Sequence, residues 1–264
     1  MMCQIFIVNR DSYIENQDVY DAHLDKGDSL NNHGSSALFI ADNGEHCLVR
    51  GLDFTTISTL MTINDNWSKV IIHQRYTTGG AANLSNTHLW QVGDFFYCHN
   101  GVLKDERTLN YPVDSQLIGS FLQSGDVWDA LAYCQSEPYA NVFIANIEQR
   151  EIWVTRSKDN TLYTDGNGQY STRKLEGHID IPVAEHTLHC IKLDKVEDYD
   201  KWGYDYSYSS YDDLVRYSTM GNEAESDYQD ALELEQKLGE AIVNDDQQAV
   251  SKYTYLLEKA NGNA

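Results

Sequence analysis

Cys3 stands near the start of the chain, directly ahead of the apolar run Gln4 to Val8. A cysteine that becomes the first residue has its own base beside it, because a free α-amino group has a pKa of about 7.7–8.0 and can take a thiol proton near neutral pH. A small apolar residue near a terminus would give the same pattern. Cys3 is therefore a candidate nucleophile that needs support from other segments.

Two apolar runs end in polar tips that contain glycine. The first, His73 to Gly79, carries Arg75, whose guanidinium can hold a carboxylate through two parallel hydrogen bonds; a surface ion pair at a hairpin would look the same. The second, Phe95 to Gly101, ends in Asn100-Gly101. An Asn amide and a Gly N–H can form an oxyanion hole, and the alternative is an ordinary Asn-Gly turn.

Asp114 opens a long segment with helical spacing. Its carboxylate can bind an ammonium group, or it can cap the helix N-terminus. A metal site is not expected at His186-x-x-His189-Cys190, because alternation along a strand would turn the two imidazoles to opposite sides. No cofactor motif is found, since the Gly166-Asn-Gly168 turn lacks a strand–glycine–helix context.

The segments that must position these residues are mostly strands. Short runs of β-branched and aromatic residues, bounded by turn signals, predict strands over 3–9, 37–41, 46–52, 69–76, 95–100, 142–147, 151–157 and 186–193. Two segments, Phe54–Ile63 and Ser115–Tyr133, have helical spacing, and the second is interrupted near Ser124-Gly125. Many strands with two long helices predict a layered α+β fold.

The composition excludes several classes of protein. The chain has 264 residues, of which 41% are hydrophobic, and a formal net charge of −22, from 19 basic and 41 acidic residues. So acidic a chain repels phosphate backbones and anionic membranes, which argues against direct nucleic-acid binding. The sequence has no apolar run of membrane length, and its first residues, which lack a basic stretch, are not expected to act as a signal peptide. Five scattered cysteines do not form a disulfide framework, so we expect a cytoplasmic protein.

The acidic charge is concentrated at the C-terminal end. Residues 194–264 hold 17 acidic and 6 basic residues, half of the net negative charge. We expect a main domain over 1–193, an acidic, tyrosine-rich linker over 194–225 and a helical hairpin over 226–264, with amphipathic helices at Asp227–Val243 and Gln247–Ala260. Too little chain follows residue 193 for a synthase domain.

The motifs taken together resemble a known family. Cys3, Arg75 with Thr78 and adjacent glycines, Asn86-Thr-His88, His99-Asn100-Gly101 and Asp114 follow the order and spacing of the class II (N-terminal-nucleophile) glutamine amidotransferase domain; the small-residue turn Gly34-Ser-Ser-Ala37 fits as well. The resemblance covers about residues 3–190. It implies a four-layer αββα sandwich, to which the tail would add a small helical appendage.

The resemblance also implies a role for each residue. Cys3 would be the nucleophile and its α-amine the base, and Asn100 and Gly101 would stabilise the oxyanion. Arg75, with Thr78 nearby, would bind the α-carboxylate of glutamine, while Asp114 would hold the α-ammonium. The reaction would pass through a γ-glutamyl thioester and release ammonia. No metal or cofactor is implied.

The chain departs from the family pattern at three places. Leu89 follows His88 where the family has proline, and Gln116 replaces a glutamate. The third departure is Met1-Met2 ahead of Cys3, because aminopeptidases that remove the initiator need a small next residue. Either translation starts at Met2 and Cys3 is freed, or the Cys3 amine stays blocked and the site is inactive.

Two classes of function follow from these observations. The first is a stand-alone glutamine amidotransferase that hydrolyses glutamine and passes ammonia to an acceptor enzyme in trans, with the tail docking that enzyme or a second copy of the chain. The second is an inactive, acidic binding protein that keeps the fold and engages a basic partner. A variant of the first would hydrolyse another γ-glutamyl or peptide amide.

Overall fold

The structure is a computed structural model that describes residues 3–78 and 80–193 and the backbone of 195–199. The predicted hairpin over 226–264, and the predicted linker apart from that backbone, lie outside the described residues. Five α-helices occur in the described part: α1 Arg10–Glu15, α2 Gln17–Leu30, α3 Thr55–Ile63, α4 Gln116–Leu122 and α5 Val127–Ser136.

The strands form two antiparallel sheets. Their bounds are β1 Gln4–Asn9, β2 Ser35–Ile40, β3 His46–Gly51, β4 Lys69–Gln74, β5 Trp90–Val92, β6 Phe95–Gly101, β7 Ala140–Asn146, β8 Glu151–Arg156, β9 Tyr163–Thr164, β10 Tyr170–Ser171, β11 Ile181–Pro182, β12 Thr187–Lys192 and β13 Lys195–Tyr199. The first sheet has the order β11-β9-β10-β1-β4-β2-β3, and the second has the order β13-β12-β8-β7-β6-β5.

Alternation along the strands explains how the sheets stack. In β1, Ile5 and Ile7 lie in a core shared with the second sheet, whereas Phe6 and Val8 pack with residues of α1, α2 and α3. The second sheet does the same: one face joins the central core, and the other packs on α4 and α5. The result is a four-layer αββα sandwich with three apolar cores, which confirms the predicted fold class.

The eight predicted strands and α3 are present, and the predicted break near Ser124-Gly125 separates α4 from α5. Helices α1 and α2 were not predicted. Their segment is mostly polar and buries only Tyr13, Tyr20, Leu24 and Gly27, so few apolar residues are available to indicate a helical period. Strand β13 continues the second sheet past the predicted boundary at 193.

No helix among the described residues is both long and apolar enough to cross a membrane.

Candidate functional site

The strand registers bring three predicted site residues to one end of the central core. Gln4 pairs with Gln74 in the first sheet. Cys3, which precedes Gln4, and Arg75, which follows Gln74, therefore lie at the same end of these two strands. Cys3 lies two residues before inward-facing Ile5, and Arg75 lies four after inward-facing Ile71. Asn100 lies two residues after inward-facing Cys98 on the facing sheet. Because side chains alternate along strands, the Asn100 position faces the space between the sheets, and the same alternation continued one residue past β1 and β4 would direct Cys3 and Arg75 there.

The Cys3 thiol is held by the backbone of one residue. It donates to the carbonyl oxygen of Tyr76 at 3.4 Å and accepts from the Tyr76 N–H at 3.3 Å. Only 9% of Cys3 is exposed, and burial raises the pKa of its thiol to about 11. The Tyr76 hydrogen bond and the Arg75 charge lower this pKa, and the Asp114 charge raises it. At neutral pH the thiol therefore needs a base to become a nucleophile.

Arg75 is fixed through both its backbone and its side chain. Its N–H donates to the Gly34 carbonyl at 2.8 Å, and its own carbonyl accepts from the His33 N–H at 3.2 Å. The guanidinium, on a residue 1% exposed, donates to the Ala81 carbonyl at 2.9 Å and the Thr77 hydroxyl at 3.0 Å. Burial lowers the Arg75 pKa, while the charges of Cys3 and Asp114 raise it. The charges of Cys3 and Asp114 therefore both act on the pKa of Arg75.

Thr78, predicted to lie near Arg75, is exposed. The hydroxyl that contacts the guanidinium belongs to Thr77, whose side chain also donates to the Gly80 carbonyl at 3.1 Å. The Thr77 N–H donates to His33 Nδ1 at 3.0 Å. The loop after Arg75 is thus tied to the turn before β2 as well as to the guanidinium.

Gly101 ends β6 in a conformation that only glycine tolerates. Its φ is 147°, and a Cβ at this position would lie 1.4 Å from the Tyr139 carbonyl oxygen and 2.8 Å from Asn160 Nδ2. The glycine therefore lets the end of β6 lie directly against the Tyr139 backbone. The neighbouring Asn100 is 2% exposed and accepts a hydrogen bond from Asn160 Nδ2 at its carbonyl.

We expect Gly101→Ala to lower the free energy of unfolding by about 3 kcal/mol, because the methyl group forces the backbone away from Tyr139. Gly93→Ala is the matched control: Gly93 also has a positive φ, 56°, but nothing lies within 4 Å of the new Cβ. Its expected loss is about 1 kcal/mol. Urea denaturation of both variants measures the difference, and equal losses would contradict the close contact.

Asp114 precedes α4 and is half-buried. Its Oδ2 accepts from the Leu103 N–H at 2.8 Å, and its Oδ1 accepts from the Ser115 N–H at 2.8 Å and the Ser115 hydroxyl at 3.2 Å. The residue at the cap position itself is Ser115. Asp114 therefore braces the loop after Gly101, although the residue is only partly buried.

Three buried histidines lie behind these groups. His73 and His88 stack with ring centroids 4.0 Å apart, and both contact the backbone of His99. The Nε2 atom of His73 lies 3.3 Å from the His99 carbonyl oxygen, and the His99 N–H donates to His88 Nδ1 at 3.5 Å. Burial lowers the pKa of all three, that of His73 to about 3. Neutral imidazoles therefore support the strand that carries Asn100.

Stability is expected to fall as the pH drops below about 6.5. Below that pH the histidines of the unfolded chain bind protons, whereas the buried histidines of the folded protein stay neutral. This difference persists down to the folded pKa values, about 3 for His73 and about 4 for His23. Each contributes a slope of about 1.4 kcal/mol per pH unit in that window. Burial is also the main cause of the lowered His23 pKa.

Urea denaturation between pH 6.5 and 4.5 tests this expectation. His73→Asn and His23→Asn should each flatten the decline, whereas the core variant Ile72→Val should lower stability equally at every pH. Parallel curves for all three variants would refute the role of the buried imidazoles.

The similarity of this chain to known proteins lies in its fold. No protein-family model and no curated sequence matches the chain. Among solved structures, the allosteric regulatory enzyme of purine biosynthesis matches with a TM-score of 0.55 and 13% identity, over 75% of this chain and 48% of that chain. With the four-layer architecture, that match decides the fold. The chain has the four-layer αββα fold of that enzyme.

Two other structures align less well. One is a glutamine aminotransferase class-II domain protein from Silicibacter pomeroyi, with a TM-score of 0.45, 8% identity and coverage of 76% of this chain and 99% of that chain. The other is glutamine phosphoribosylpyrophosphate amidotransferase from B. subtilis. It has a TM-score of 0.42 and 14% identity, over 75% of this chain and 48% of that chain. The chain thus spans about half the length of two of the three structures. The likeness in fold rests on the first structure, and the activity must be argued from the site.

Several residues around the site were missed from the sequence. Tyr76 acts through its backbone, and Thr77, His33 and Asn160 act through hydrogen bonds to residues distant in the chain. Arg173 is a second cation whose charge acts on Cys3. The residue types carry no local signal for these contacts, which arise only when the strands pair.

No group of three metal-binding side chains occurs among the described residues. His189, considered as a ligand with His186, instead has its Nδ1 2.7 Å from the Tyr170 hydroxyl. His186 is exposed in the turn before β12.

Proposed function

We propose that the chain, once it begins at Cys3, binds free glutamine and hydrolyses its side-chain amide to glutamate and ammonia. One observation carries the proposal: the buried Cys3 thiol bonds the backbone of Tyr76, the residue next to buried Arg75, and the charges of Arg75 and half-buried Asp114 both act on the pKa of that thiol. Free glutamine carries one carboxylate and one ammonium, and Arg75 and Asp114 are complementary to that pair.

Recognition divides between the two charged residues. Arg75 would bind the α-carboxylate in a bidentate geometry, exchanging its bonds to the Ala81 carbonyl and the Thr77 hydroxyl for charged partners. Asp114 would hold the α-ammonium with the carboxylate oxygens that already accept from Leu103 and Ser115. Thr78 would contribute from the exposed side of the loop. The side-chain amide is then directed towards Cys3.

Chemistry would proceed in two halves. The α-amine of Cys3 takes the thiol proton, the sulfur attacks the amide carbon, and the Asn100 side-chain amide and Gly101 N–H stabilise the resulting oxyanion. Collapse of this intermediate passes the proton to the leaving nitrogen and releases ammonia. Water then adds to the γ-glutamyl thioester, with the same amine as base, and glutamate leaves with the thiol restored. The raised thiol pKa makes that amine essential.

A second chain is proposed to consume the ammonia. We infer a stand-alone amidotransferase that supplies an acceptor enzyme in trans, with the acidic segment from residue 194 as the docking element for that enzyme or for another copy of the chain. The alternative of an inactive acidic binding protein applies if Cys3 remains blocked.

The proposal is tested by an assay of glutamate and ammonia with protein whose N-terminus has been verified as Cys3. Equal amounts of the two products are expected from glutamine. Asparagine is expected to be a poor substrate, since its amide carbon is one methylene closer to the charged end. Absence of products from the verified protein, alone and with candidate acceptors, would support the binding-protein alternative.

A further inference from the structure

The end of β6 is held from the far side by a turn that the function above does not use. Asn160 lies between β8 and β9, and its Nδ2 donates to the Asn100 carbonyl oxygen at 2.7 Å. Asn160 is 1% exposed and is 60 residues from Asn100 in the chain. It therefore contacts the backbone of the proposed oxyanion residue from within the protein.

The turn around Asn160 is itself anchored to the strand beside β6. Ser157 accepts from the Ala140 N–H at 2.8 Å and donates through its own N–H to Asn141 Oδ1 at 3.2 Å. Asn141 Nδ2 returns a hydrogen bond to the Thr161 carbonyl at 2.8 Å. Since Asn141 and Ala140 pair with Asn100 and Gly101, the turn is locked to the registered end of β6.

The orientation of the Asn160 amide follows from its partner. A carbonyl oxygen only accepts, so the group that faces Asn100 must be the NH₂. The other end of the amide, Oδ1, is buried and has no hydrogen-bond partner among the described residues. Burying an acceptor without a partner is unfavourable. The amide therefore leaves its acceptor unpaired while its donor end holds the Asn100 carbonyl.

The Asn160 amide also restricts the space around Gly101. A Cβ on Gly101 would lie 2.8 Å from Asn160 Nδ2, so the amide packs close to the residue whose N–H is the second proposed oxyanion donor. The Asn160 main-chain carbonyl accepts from Arg156 Nε at 2.9 Å, which fixes the turn at its own end. Asn160 thus contacts both members of the proposed oxyanion hole and is held rigidly in place.

We propose that Asn160 is a positioning residue that sets the direction of the Asn100 side chain and the Gly101 N–H towards the oxyanion. This inference rests on the proposed function, because it concerns the same intermediate. Oxyanion stabilisation depends on donors aimed where charge develops, so a small rotation of β6 affects the rate more than the binding of glutamine. Arg75 and Asp114, which would bind glutamine, are untouched.

Asn160→Asp tests the role with nearly the same shape. Its carboxylate cannot donate, so it repels the Asn100 carbonyl oxygen. We expect kcat for glutamine to fall about 10- to 100-fold, with KM changed less than about threefold. Asn160→Ala should show the same split. Alkylation of Cys3 by iodoacetamide forms no oxyanion, so its rate should stay at the wild-type value.

Asn146→Ala is the matched control. Asn146 is also a buried asparagine that bonds a backbone group, accepting from the Gln149 N–H at 2.9 Å, but it lies at the opposite end of β7. It should lose stability without a selective loss of kcat.

Each outcome is decisive. Wild-type kcat in both Asn160 variants would overturn the inference alone, and so would a parallel loss of kcat, glutamine binding and alkylation rate, or failure of both variants to fold. A verified wild-type protein that releases no ammonia would overturn the proposed function, and this inference with it.

Discussion

Replacing Cys3 by alanine is expected to lower the rate of ammonia release from glutamine by about 10,000-fold. The alanine variant keeps the α-amine, Arg75 and Asp114, so it should still bind glutamine with unchanged affinity. What it loses is the thiol to which the proposal assigns the attack on the amide carbon. Steady-state assays and equilibrium binding of glutamine, measured on the same preparation, separate the two effects.

Cys47→Ala is the control for this loss. Cys47 is exposed on β3, away from the end of the sheets where Cys3 lies, and its removal should leave the rate unchanged. A wild-type form that retains Met2 should be as inactive as the alanine variant, because its Cys3 nitrogen is an amide and cannot take the thiol proton. Substantial activity in the Cys3→Ala protein would exclude Cys3 as the nucleophile.

Arg75→Lys is expected to reduce kcat/KM for glutamine by about 100-fold, or about 3 kcal/mol, mostly through a higher KM. Lysine keeps the positive charge near Cys3 but loses the planar pair of donors that holds a carboxylate. It also cannot span from the Ala81 carbonyl to the Thr77 hydroxyl, so the loop after Arg75 should loosen.

Arg173→Lys separates the effect of charge from that of geometry. The charge of Arg173 also interacts with that of Cys3, but its guanidinium bonds Asn31 Oδ1 at 3.3 Å. The lysine variant should change KM less than about threefold. A comparable rise in KM for both variants would mean that general positive charge, not the bidentate geometry of Arg75, retains glutamine.

Much of the fold could be read from short apolar runs bounded by turn residues. Strands such as Gln4–Asn9 and Lys69–Gln74 are buried on both faces and appear as nearly continuous runs, whose short length and β-branched residues favour strand over helix. The Ser124-Gly125 break between two helices follows from residues that end helices locally. These signals lie within single segments, which is why they survive without knowledge of tertiary contacts.

Helices α1 and α2 could not be read in the same way. Their buried residues Tyr13, Tyr20 and Leu24 occupy one stripe, but Asn, Asp and Ser between them favour caps and turns as much as helix. The helices are held by packing on Phe6 and Val8 of β1. Tertiary packing thus decided a segment whose local preference was ambiguous.

The candidate site shows the same contrast between residues that the sequence indicates and residues that only tertiary contacts bring together. Residues with reactive groups, such as Cys3, Arg75 and Asn100, could be chosen by type and spacing, and the registers place them at one end of the two sheets. Residues that hold them in place could not. Asn160 follows an ordinary polar turn sequence, and its relation to Asn100 exists only because β7 brings residues 60 apart together.

The most direct test of the account is covalent capture of Cys3 by a glutamine-shaped diazoketone, followed by peptide mass analysis of protein verified to begin at Cys3. We predict labelling of Cys3 alone at a one-to-one ratio, with protection by glutamine and none by asparagine. The exposed Cys47 reports non-specific reaction in the same sample. Labelling that spreads to Cys47, or that glutamine does not slow, would contradict a glutamine site built around the Cys3 thiol.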